Sequence, residues 1–324
     1  MDPRPKPRLA LTRLFPPDVM ARARRSYAVV AENPDDIPAD ADRIVAMAAE
    51  ADAIFCAAGD PLGADTIARL PGSVKAIATF SVGTDHIGLD AAKARGIAVT
   101  NTPDVLTEAT AETTMLLLLG AARRAAEGER LVREGRWTGW TPTQLLGRQV
   151  SGKKLGILGM GRIGRAVARM ARGFLMEVHY HNRSRLPEEL EAGAIYHSDA
   201  AAMLAQIDML ALTAPGGGPL TNWLNAERIA LMKPGTVVVN SGRGTLVEDN
   251  ALIAALKSGH VAAAGLDVFA NEPQLDPRYR EQANTFLLPH LGSATVEARN
   301  AMGFRALDNL DAFFSGDQPP DRIA

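Results

Sequence analysis

Three short stretches of the sequence carry polar side chains directly after predicted strands. Arg243 lies in "VVVNSGRGT", Glu272 in "GLDVFANEP" and His290 in "LLPHLGSAT". An arginine fork binds carboxylates, a histidine titrates near neutral pH, and a glutamate bonded to the far ring nitrogen favours the protonated ring. Each residue alone also has an ordinary explanation as an exposed turn, a solvated acid or a surface or core histidine. Because all three follow strands of one doubly wound domain, we expect them to converge on one crevice.

A glycine-rich loop precedes these stretches. In "LGILGMGRIGRA" the glycines Gly159, Gly161 and Gly164 follow an apolar strand and open a helix. Such a loop turns tightly, lets a pyrophosphate approach the backbone, and places the phosphates on the free N–H groups of the helix N-terminus. Alone the motif is weak, but between a strand and a helix, with another strand about 20 residues on, it predicts dinucleotide binding.

The tip of the next strand, "EVHYHNRSR", lacks the acidic residue that binds the adenosine ribose of NAD. Asn182 stands at the tip, and Arg183 and Arg185 follow with Ser184 between them. A carboxylate there would repel the 2′-phosphate of NADP, whereas an arginine fork pairs with it. The alternative is a solvated basic turn. We predict that NADPH is preferred to NADH, with Arg183 as the more direct contact.

The elements that position these residues alternate between short apolar strands and helices, which predicts an α/β protein with two doubly wound parallel-sheet domains. Residues 1–106 and 296–324 are predicted to form the first, discontinuous domain. Residues 107–295 are predicted to form a Rossmann-like, nucleotide-binding domain. One long helical stretch from Thr107 onward separates the two series.

Composition sets further bounds. The 324 residues include 35 basic and 37 acidic side chains, so the net charge of −2 favours neither nucleic acid nor an anionic membrane. The single cysteine, Cys56, excludes an intramolecular disulfide framework and lies in an apolar run that indicates burial. No apolar run is long enough to span a bilayer. We expect a cytoplasmic protein without a metal site.

Five motifs in order, "SVGTDHIGLDAA", "GKKLGILGMGRIG", "LMKPGTVVVNSGRGTLVED", "GLDVFANEP" and "PHLGSAT", resemble the D-isomer-specific 2-hydroxyacid dehydrogenase family. Within it the chain is most similar to bacterial NADPH-dependent glyoxylate/hydroxypyruvate reductases. The resemblance implies a homodimer, with residues 107–150 as the dimerisation segment. It implies that residues 1–106 and 296–324 form a flavodoxin-like, substrate-binding domain, and that a small 2-oxo or 2-hydroxy acid binds in the cleft between this domain and the Rossmann-like one. It also implies that the backbone amides of Val82 and Gly83 hold the substrate carboxylate, together with Arg243 and His290.

The same resemblance implies roles for the remaining site residues. Arg243, Glu272 and His290 are the expected catalytic residues, with His290 as the general acid that protonates the alkoxide. The cofactor, NADPH in preference to NADH, is expected to contact Thr107, Gly159, Gly161, Arg162, Ile163, Gly164, Asn182, Arg183, Ser184, Arg185, Ala214, Pro215, Ser241, Gly242, Asp267 and Gly292.

Two tryptophans in "EGRWTGWTP" lie near the end of the predicted helical stretch. Large aromatic side chains gain most from burial between chains, which indicates an interface. The alternative is that Trp137 and Trp140 pack on their own domain. The resemblance to glyoxylate reductases implies that Trp140 enters the substrate pocket of the partner subunit.

Other members of the superfamily remain as alternatives. Formate dehydrogenase resembles the chain at "HYHNRSRLPE" but carries glutamine in place of Glu272, and formate oxidation forms no alkoxide that needs a proton. Phosphoglycerate dehydrogenase and reductases of bulkier 2-oxo acids are enzymatic alternatives. A cofactor-sensing transcriptional corepressor, which retains the same three polar residues, is the non-enzymatic one. The sequence does not rank the 2-oxo acids, since pocket size depends on loop geometry.

Overall fold

A computed structural model describes residues 5–324 of the chain. These residues divide into two compact units. One comprises the chain up to Leu106 together with Ala294–Ala324, and the other comprises Thr107–Ser293. The sequence analysis placed its boundaries after residues 106 and 295, so the second one lies two residues beyond the end of this unit.

The first unit contains a five-stranded, fully parallel sheet in the order β2-β1-β3-β4-β5. This is the flavodoxin-like order, with a switch point between β1 and β3. Two buried clusters form the core, and in one of them Phe15 stacks on Phe55 with ring centroids 3.9 Å apart. With elements numbered in chain order, the unit comprises β1 (Arg8–Leu11), α1 (Pro17–Ser26), β2 (Ala28–Ala31), α2 (Ala41–Met47), β3 (Ala53–Ala57), α3 (Ala64–Arg69), β4 (Ala76–Phe80), α4 (Leu89–Ala94), β5 (Ala98–Thr100) and the last helix, α13 (Val296–Ser315).

The second unit contains a seven-stranded parallel sheet in the order β12-β11-β10-β9-β6-β7-β8. Counted within the unit, its first six strands follow the order 3-2-1-4-5-6 of the Rossmann fold. Its elements are α5 (Thr107–Ala122), α6 (Ala125–Arg133), β6 (Lys154–Leu158), α7 (Arg162–Gly173), β7 (Glu177–His181), α8 (Glu188–Glu191), β8 (Ile195–Tyr196), α9 (Ala200–Leu204), β9 (Met209–Leu212), α10 (Ala226–Leu231), β10 (Thr236–Asn240), α11 (Asp249–Ser258), β11 (Val261–Leu266), α12 (Arg278–Glu281) and β12 (Thr285–Leu287). Short 3-10 turns span Gly218–Leu220 and Gly244–Leu246.

Helices cover both faces of the larger sheet, and this explains its uninterrupted apolar strands. Every residue of β9 and β10 is buried, because parallel strands between two helical layers have no solvent-facing side. On one face α5 packs very closely: a Cβ at Gly265 would lie 2.7 Å from the carbonyl oxygen of Leu117. The predicted fold class, two doubly wound parallel sheets, is confirmed.

The predicted single helical stretch after Thr107 is wrong in one respect, since the structure has two helices there. Arg124 adopts a left-handed backbone conformation, with φ 55°, and stands at the N-cap of α6. The carbonyl oxygen of Ala122, at the end of α5, accepts a hydrogen bond from the amide of Arg148 at 2.7 Å. A helical carbonyl bonded from outside marks the end of the helix. The sequence analysis also missed β2 and β8, which lie at sheet edges and are very short.

No helix within residues 5–324 is both long and apolar enough to cross a membrane.

Candidate active site

The catalytic candidates follow three strands that are neighbours in the larger sheet, β10, β11 and β12. The carboxyl ends of parallel strands lie at one edge of the sheet, so their loops meet there. The Nδ1 atom of His290 lies 2.6 Å from Oε2 of Glu272. The other glutamate oxygen accepts a hydrogen bond from the amide of Phe269 at 2.9 Å. Glu272 is thereby fixed on one side and orients the imidazole ring on the other.

This pairing has a clear electrostatic effect on both partners. The hydrogen bond to Glu272 raises the pKa of His290 above its ordinary value, against the opposing effect of burial. Burial acts to raise the pKa of Glu272, but the hydrogen bond from His290 and the charges of His290 and Arg243 together hold it below its usual range. With Nδ1 occupied by Glu272, it is Nε2 of a half-exposed ring that remains to act on a substrate.

The backbone of His290 is also constrained. Its φ is 57°, in the left-handed region that a residue with a Cβ rarely adopts. The amide of His290 donates to the carbonyl of Asp267 at 2.9 Å. The buried carboxylate of Asp267 accepts the amides of Leu291 at 2.6 Å and Gly292 at 2.8 Å. Desolvation raises the pKa of Asp267, although these amide hydrogen bonds oppose the shift. Asp267 therefore fixes the turn that carries the histidine.

Arg243 is presented by a turn that depends on two neighbouring residues. The side chain of Asn240, at the end of β10, accepts the amide of Gly242 at 3.0 Å and donates to the carbonyl of Arg243 at 2.8 Å. A Cβ at Gly244 would lie 1.9 Å from the carbonyl carbon of Phe269. The arginine turn thus touches the backbone of the loop that carries Glu272. On the opposite side, Ser241 shares a hydrogen bond with Thr114 of α5 at 2.6 Å.

The three glycines of the loop after β6 have different local requirements. Gly159 has φ 93°, and a Cβ there would lie 2.5 Å from Cα of Ala214. A Cβ at Gly164 would lie 2.3 Å from the carbonyl oxygen of Gly159, so helix α7 packs directly on the loop. By contrast, a Cβ at Gly161 meets nothing within 4 Å. Open space therefore lies in front of the N-terminus of α7, where an anion is stabilised by free N–H groups and the helix dipole.

The remaining predicted cofactor residues of this unit lie around the same edge of the sheet. Arg162 and Ile163 are the first residues of α7, and Thr107 is the first residue of α5. Ala214 is buried and Pro215 exposed, just after β9.

The two arginines at the tip of β7 have different surroundings. Arg185 makes a bidentate pair with Glu191, with both N–O distances 2.9 Å. Arg183 is exposed, and no group within residues 5–324 pairs with its guanidinium. Asn182 accepts a hydrogen bond on Oδ1 from the amide of Met160 in the glycine loop at 2.7 Å. Because an amide N–H can only donate, this contact fixes which end of the Asn182 side chain is oxygen.

In the first unit, Val82 and Gly83 follow β4. Their carbonyl oxygens accept side-chain hydrogen bonds, from Asn101 to Val82 at 2.9 Å and from Ser81 to Gly83 at 2.7 Å. Within the described part of the chain, no acceptor pairs with the amide of either residue. The turn is therefore held through its carbonyls while its amides stay available for an anion.

The tryptophan segment after α6 has no regular secondary structure. Trp137 is 53% exposed and Trp140 77% exposed, so neither packs on its own unit in the way that one alternative expected. Leu146, farther along the same segment, is 66% exposed. Several large apolar side chains are therefore free for contact with another chain.

Comparison with known proteins decides the family. A family model described as the NAD binding domain of D-isomer specific 2-hydroxyacid dehydrogenases matches residues 115–292. The chain belongs to this family. It is 42% identical over 313 residues to the glycerate dehydrogenase of Hyphomicrobium methylovorum. The aligned region covers 96% of this chain and 97% of the relative.

Solved structures extend this family likeness to the whole chain. A protein of Polaromonas sp. JS6 66 assigned to the same family has a TM-score of 0.94 and 47% identity, covering 99% of this chain and all of that one. The NADPH-dependent glyoxylate/hydroxypyruvate reductase of Sinorhizobium meliloti, in complex with NADP and malonate, has a TM-score of 0.88 and 34% identity, covering 98% and 97%. The protein is therefore an enzyme of the 2-hydroxyacid dehydrogenase class with an NAD(P)-binding domain.

Several residues that hold this family's site together were missed by the sequence analysis. Asn240 fixes the turn at Arg243, Ser81 and Asn101 fix the turn at Val82 and Gly83, and Glu191 holds Arg185. Asn240 could have been suspected as a polar residue at the end of an apolar strand. Glu191 follows two other glutamates in "LPEELE", and nothing in the pattern distinguishes it from them.

The contact of Gly244 with the Phe269 backbone gives a test of how the site is assembled. Gly244→Ala should push the arginine turn away from the Glu272 loop, lowering kcat/KM for the oxo acid substrate at least about 10-fold and the free energy of unfolding by about 1–3 kcal/mol. Gly173→Ala is the matched control, since a Cβ there meets nothing and its φ is not positive. Steady-state kinetics and thermal denaturation measure both effects. Equal, unperturbed behaviour of the two variants would show that the close contact has no role.

Proposed function

We propose that the protein reduces small 2-oxo acids, hydroxypyruvate to the D-2-hydroxy acid and glyoxylate to its achiral 2-hydroxy acid, and uses NADPH in preference to NADH. The observation that carries this proposal is the 2.6 Å contact between Glu272 and His290, with the raised pKa of that histidine. Reduction of a ketone or aldehyde produces an alkoxide that requires a proton, and a carboxylate-paired imidazolium is suited to supply it. The names of the relatives, glycerate dehydrogenase and glyoxylate/hydroxypyruvate reductase, support the same substrate class.

In this proposal each residue has one task. The Arg243 guanidinium pairs with the substrate carboxylate and polarises the carbonyl oxygen, and the amides of Val82 and Gly83 bind the same carboxylate. A bound nicotinamide cofactor in its reduced form would supply the hydride. His290 holds a proton on Nε2 and gives it to the developing alkoxide. Glu272 keeps the ring protonated and prevents its rotation.

The cofactor is expected to lie along the glycine loop, with its pyrophosphate in the open space at Gly161. At the strand tip the Asn182 oxygen is occupied by the Met160 amide, so Nδ2 is the free end and can donate to a 2′-phosphate. Arg183, exposed and unpaired in the described chain, provides the charge. These two donors are the basis for the proposed NADPH preference.

We further propose a homodimer in which Trp140 enters the substrate pocket of the partner subunit. The 77% exposure of Trp140 on an irregular segment supports this assignment. A large aromatic side chain exposed to this extent gains most from burial by a second chain.

The substrate assignment is tested by assaying glyoxylate, hydroxypyruvate and bulkier 2-oxo acids by cofactor absorbance, with NADPH and NADH in parallel. We expect kcat/KM to be highest for the two small acids and higher with NADPH than with NADH. Asn182→Asp with Arg183→Ala should lower the NADPH/NADH ratio by about 10- to 100-fold, the usual worth of charge-assisted hydrogen bonds. Aspartate still accepts the Met160 amide, so the glycine loop is left intact.

Arg280→Ala is the matched control for that substitution, because the side chain of Arg280 is exposed and its guanidinium has no partner within residues 5–324. The ratio of kcat/KM with NADPH to kcat/KM with NADH in this variant should equal the wild-type ratio. A wild-type ratio at or below one refutes the cofactor assignment, and a preference for bulky acids refutes the substrate assignment.

The Glu272–His290 pair predicts a specific pH dependence. The pKa of His290 is raised, so the protonated form persists above pH 6.5, and kcat/KM for reduction should fall only as pH rises through that higher value. Glu272→Gln removes the negative charge, lowers the pKa of His290 and should move this alkaline limb about one pH unit lower. His290→Ala is the control: it should abolish the limb and lower kcat about 100-fold while cofactor binding survives. An unshifted limb in Glu272→Gln would contradict the assignment of the acid.

The position of Trp140 is tested with mixed dimers. Trp140→Ala should lower kcat/KM about 10-fold or more through lost apolar contact. In a heterodimer of one Trp140→Ala chain and one His290→Ala chain, a tryptophan that acts on the partner leaves one complete site, so about half of the wild-type activity returns. If Trp140 acts within its own chain, neither site is complete and the activity stays at the level of the variants. Sedimentation measures whether the dimer exists.

A further inference from the structure

A buried carboxylate lies beneath the loop that carries Arg183. Glu191, at the end of α8, is only 4% exposed. Its two carboxylate oxygens accept hydrogen bonds from Nε and Nη2 of Arg185. The same carboxylate accepts the hydroxyl of Tyr180, a fully buried residue of β7. The Tyr180 hydroxyl in turn accepts the amide of Leu186 at 3.0 Å. One carboxylate therefore ties together a strand, the loop after it and the helix that follows.

The carboxylate of Glu191 is ionised at neutral pH. Hydrogen bonds from Arg185 first, and from Tyr180 second, lower the pKa of Glu191 to about 2. Burial, and then the bond to Glu191, raise the pKa of Tyr180 to about 12. Neither group changes its protonation state near neutral pH, so a change of pH in this range leaves the hydrogen bonds of the network intact.

The loop is also fixed at its other end. Asn182 accepts the Met160 amide at 2.7 Å, and Tyr180 and Glu191 hold Leu186 and Arg185. Between these two fixed points lie Arg183 and Ser184. A loop held in its binding conformation before the ligand arrives loses less entropy on binding, which increases affinity.

We propose that Glu191 is a positioning residue for cofactor selectivity: through Arg185 and Tyr180 it holds loop 182–186 in the conformation that presents Arg183 to the 2′-phosphate of NADPH. This inference rests on the proposed NADPH preference and refines it. Arg185, predicted from the sequence as a phosphate contact, acts through Glu191 instead. Its fork is already satisfied by a bidentate carboxylate, and a phosphate would have to displace that partner.

The test compares Glu191→Gln, Arg185→Gln and the double variant for NADPH and NADH binding by titration calorimetry. Each single variant should weaken NADPH binding about 10-fold and NADH binding less than about 2-fold, the scale expected when a charged group loses its preorganisation. The double variant should equal either single variant, since both break one connection. At saturating NADPH, kcat of Glu191→Gln should stay at the wild-type value while its KM for NADPH rises.

Two further variants control for charge and for folding. Glu189→Gln removes the same charge from an exposed position of the same helix and should change nothing. Tyr180→Phe keeps the buried ring and removes only the hydroxyl between Glu191 and Leu186, so it should weaken NADPH binding in the same direction even if the Glu191 variants fold poorly.

Four outcomes would overturn the inference. If Glu191→Gln loses the same affinity for NADPH as for NADH, Glu191 only stabilises the fold. Unchanged or tighter NADPH binding in Glu191→Gln, with weaker binding in Arg185→Gln, would make Arg185 a direct phosphate ligand. Wild-type protein without NADPH preference would refute both proposals at once, whereas a preference that Arg183→Ala abolishes and Glu191→Gln spares would refute this one alone.

Discussion

The hydrogen bond between Glu272 and His290 depends on the pairing of β11 with β12, because the two residues come from the loops after these strands. Parallel pairing brings the two loops to one edge, but it does not by itself bring an imidazole to 2.6 Å from a carboxylate. Asp267 provides the additional constraint. Its carbonyl and carboxylate bind three successive amides, from His290 to Gly292, and hold the histidine in a left-handed conformation. A buried aspartate thus positions the acid–carboxylate pair through the backbone.

Arg243, the third catalytic candidate, is also positioned through backbone contacts. The turn of Arg243 lies against the chain at Phe269 so closely that only glycine fits at residue 244. Phe269 also donates its amide to Glu272. The position of the arginine and that of the glutamate are therefore coupled through one peptide segment. A site assembled this way has few freely rotating parts, which suits the electrostatic stabilisation of a developing oxyanion.

Sequence patterns were sufficient to predict the fold, but they did not reveal the partners that hold the candidate site residues in place. The strand–glycine–helix order predicted the nucleotide-binding unit because its geometry is local. The break at Arg124 depends on an amide contributed by residue 148, and no local pattern near the helix reveals it. Histidines show the same limit. Burial first, and neighbouring imidazoles next, lower the pKa of His197, whereas Glu272 raises that of His290. Residue type alone does not separate these two cases.

The strand tip shows how a single position can serve two requirements. In a chain that prefers NAD, an acid at the tip binds the ribose and repels a 2′-phosphate. Asn182 keeps the acceptor that the glycine loop needs at Met160 and removes the charge. The acid that does occur nearby, Glu191, is buried and neutralises Arg185. Of the two arginines, only Arg183 then carries a charge that no carboxylate of the described chain balances. Under the proposed assignment, selectivity depends on one guanidinium and one amide, so we expect it to be substantial but to fall short of exclusive use of NADPH.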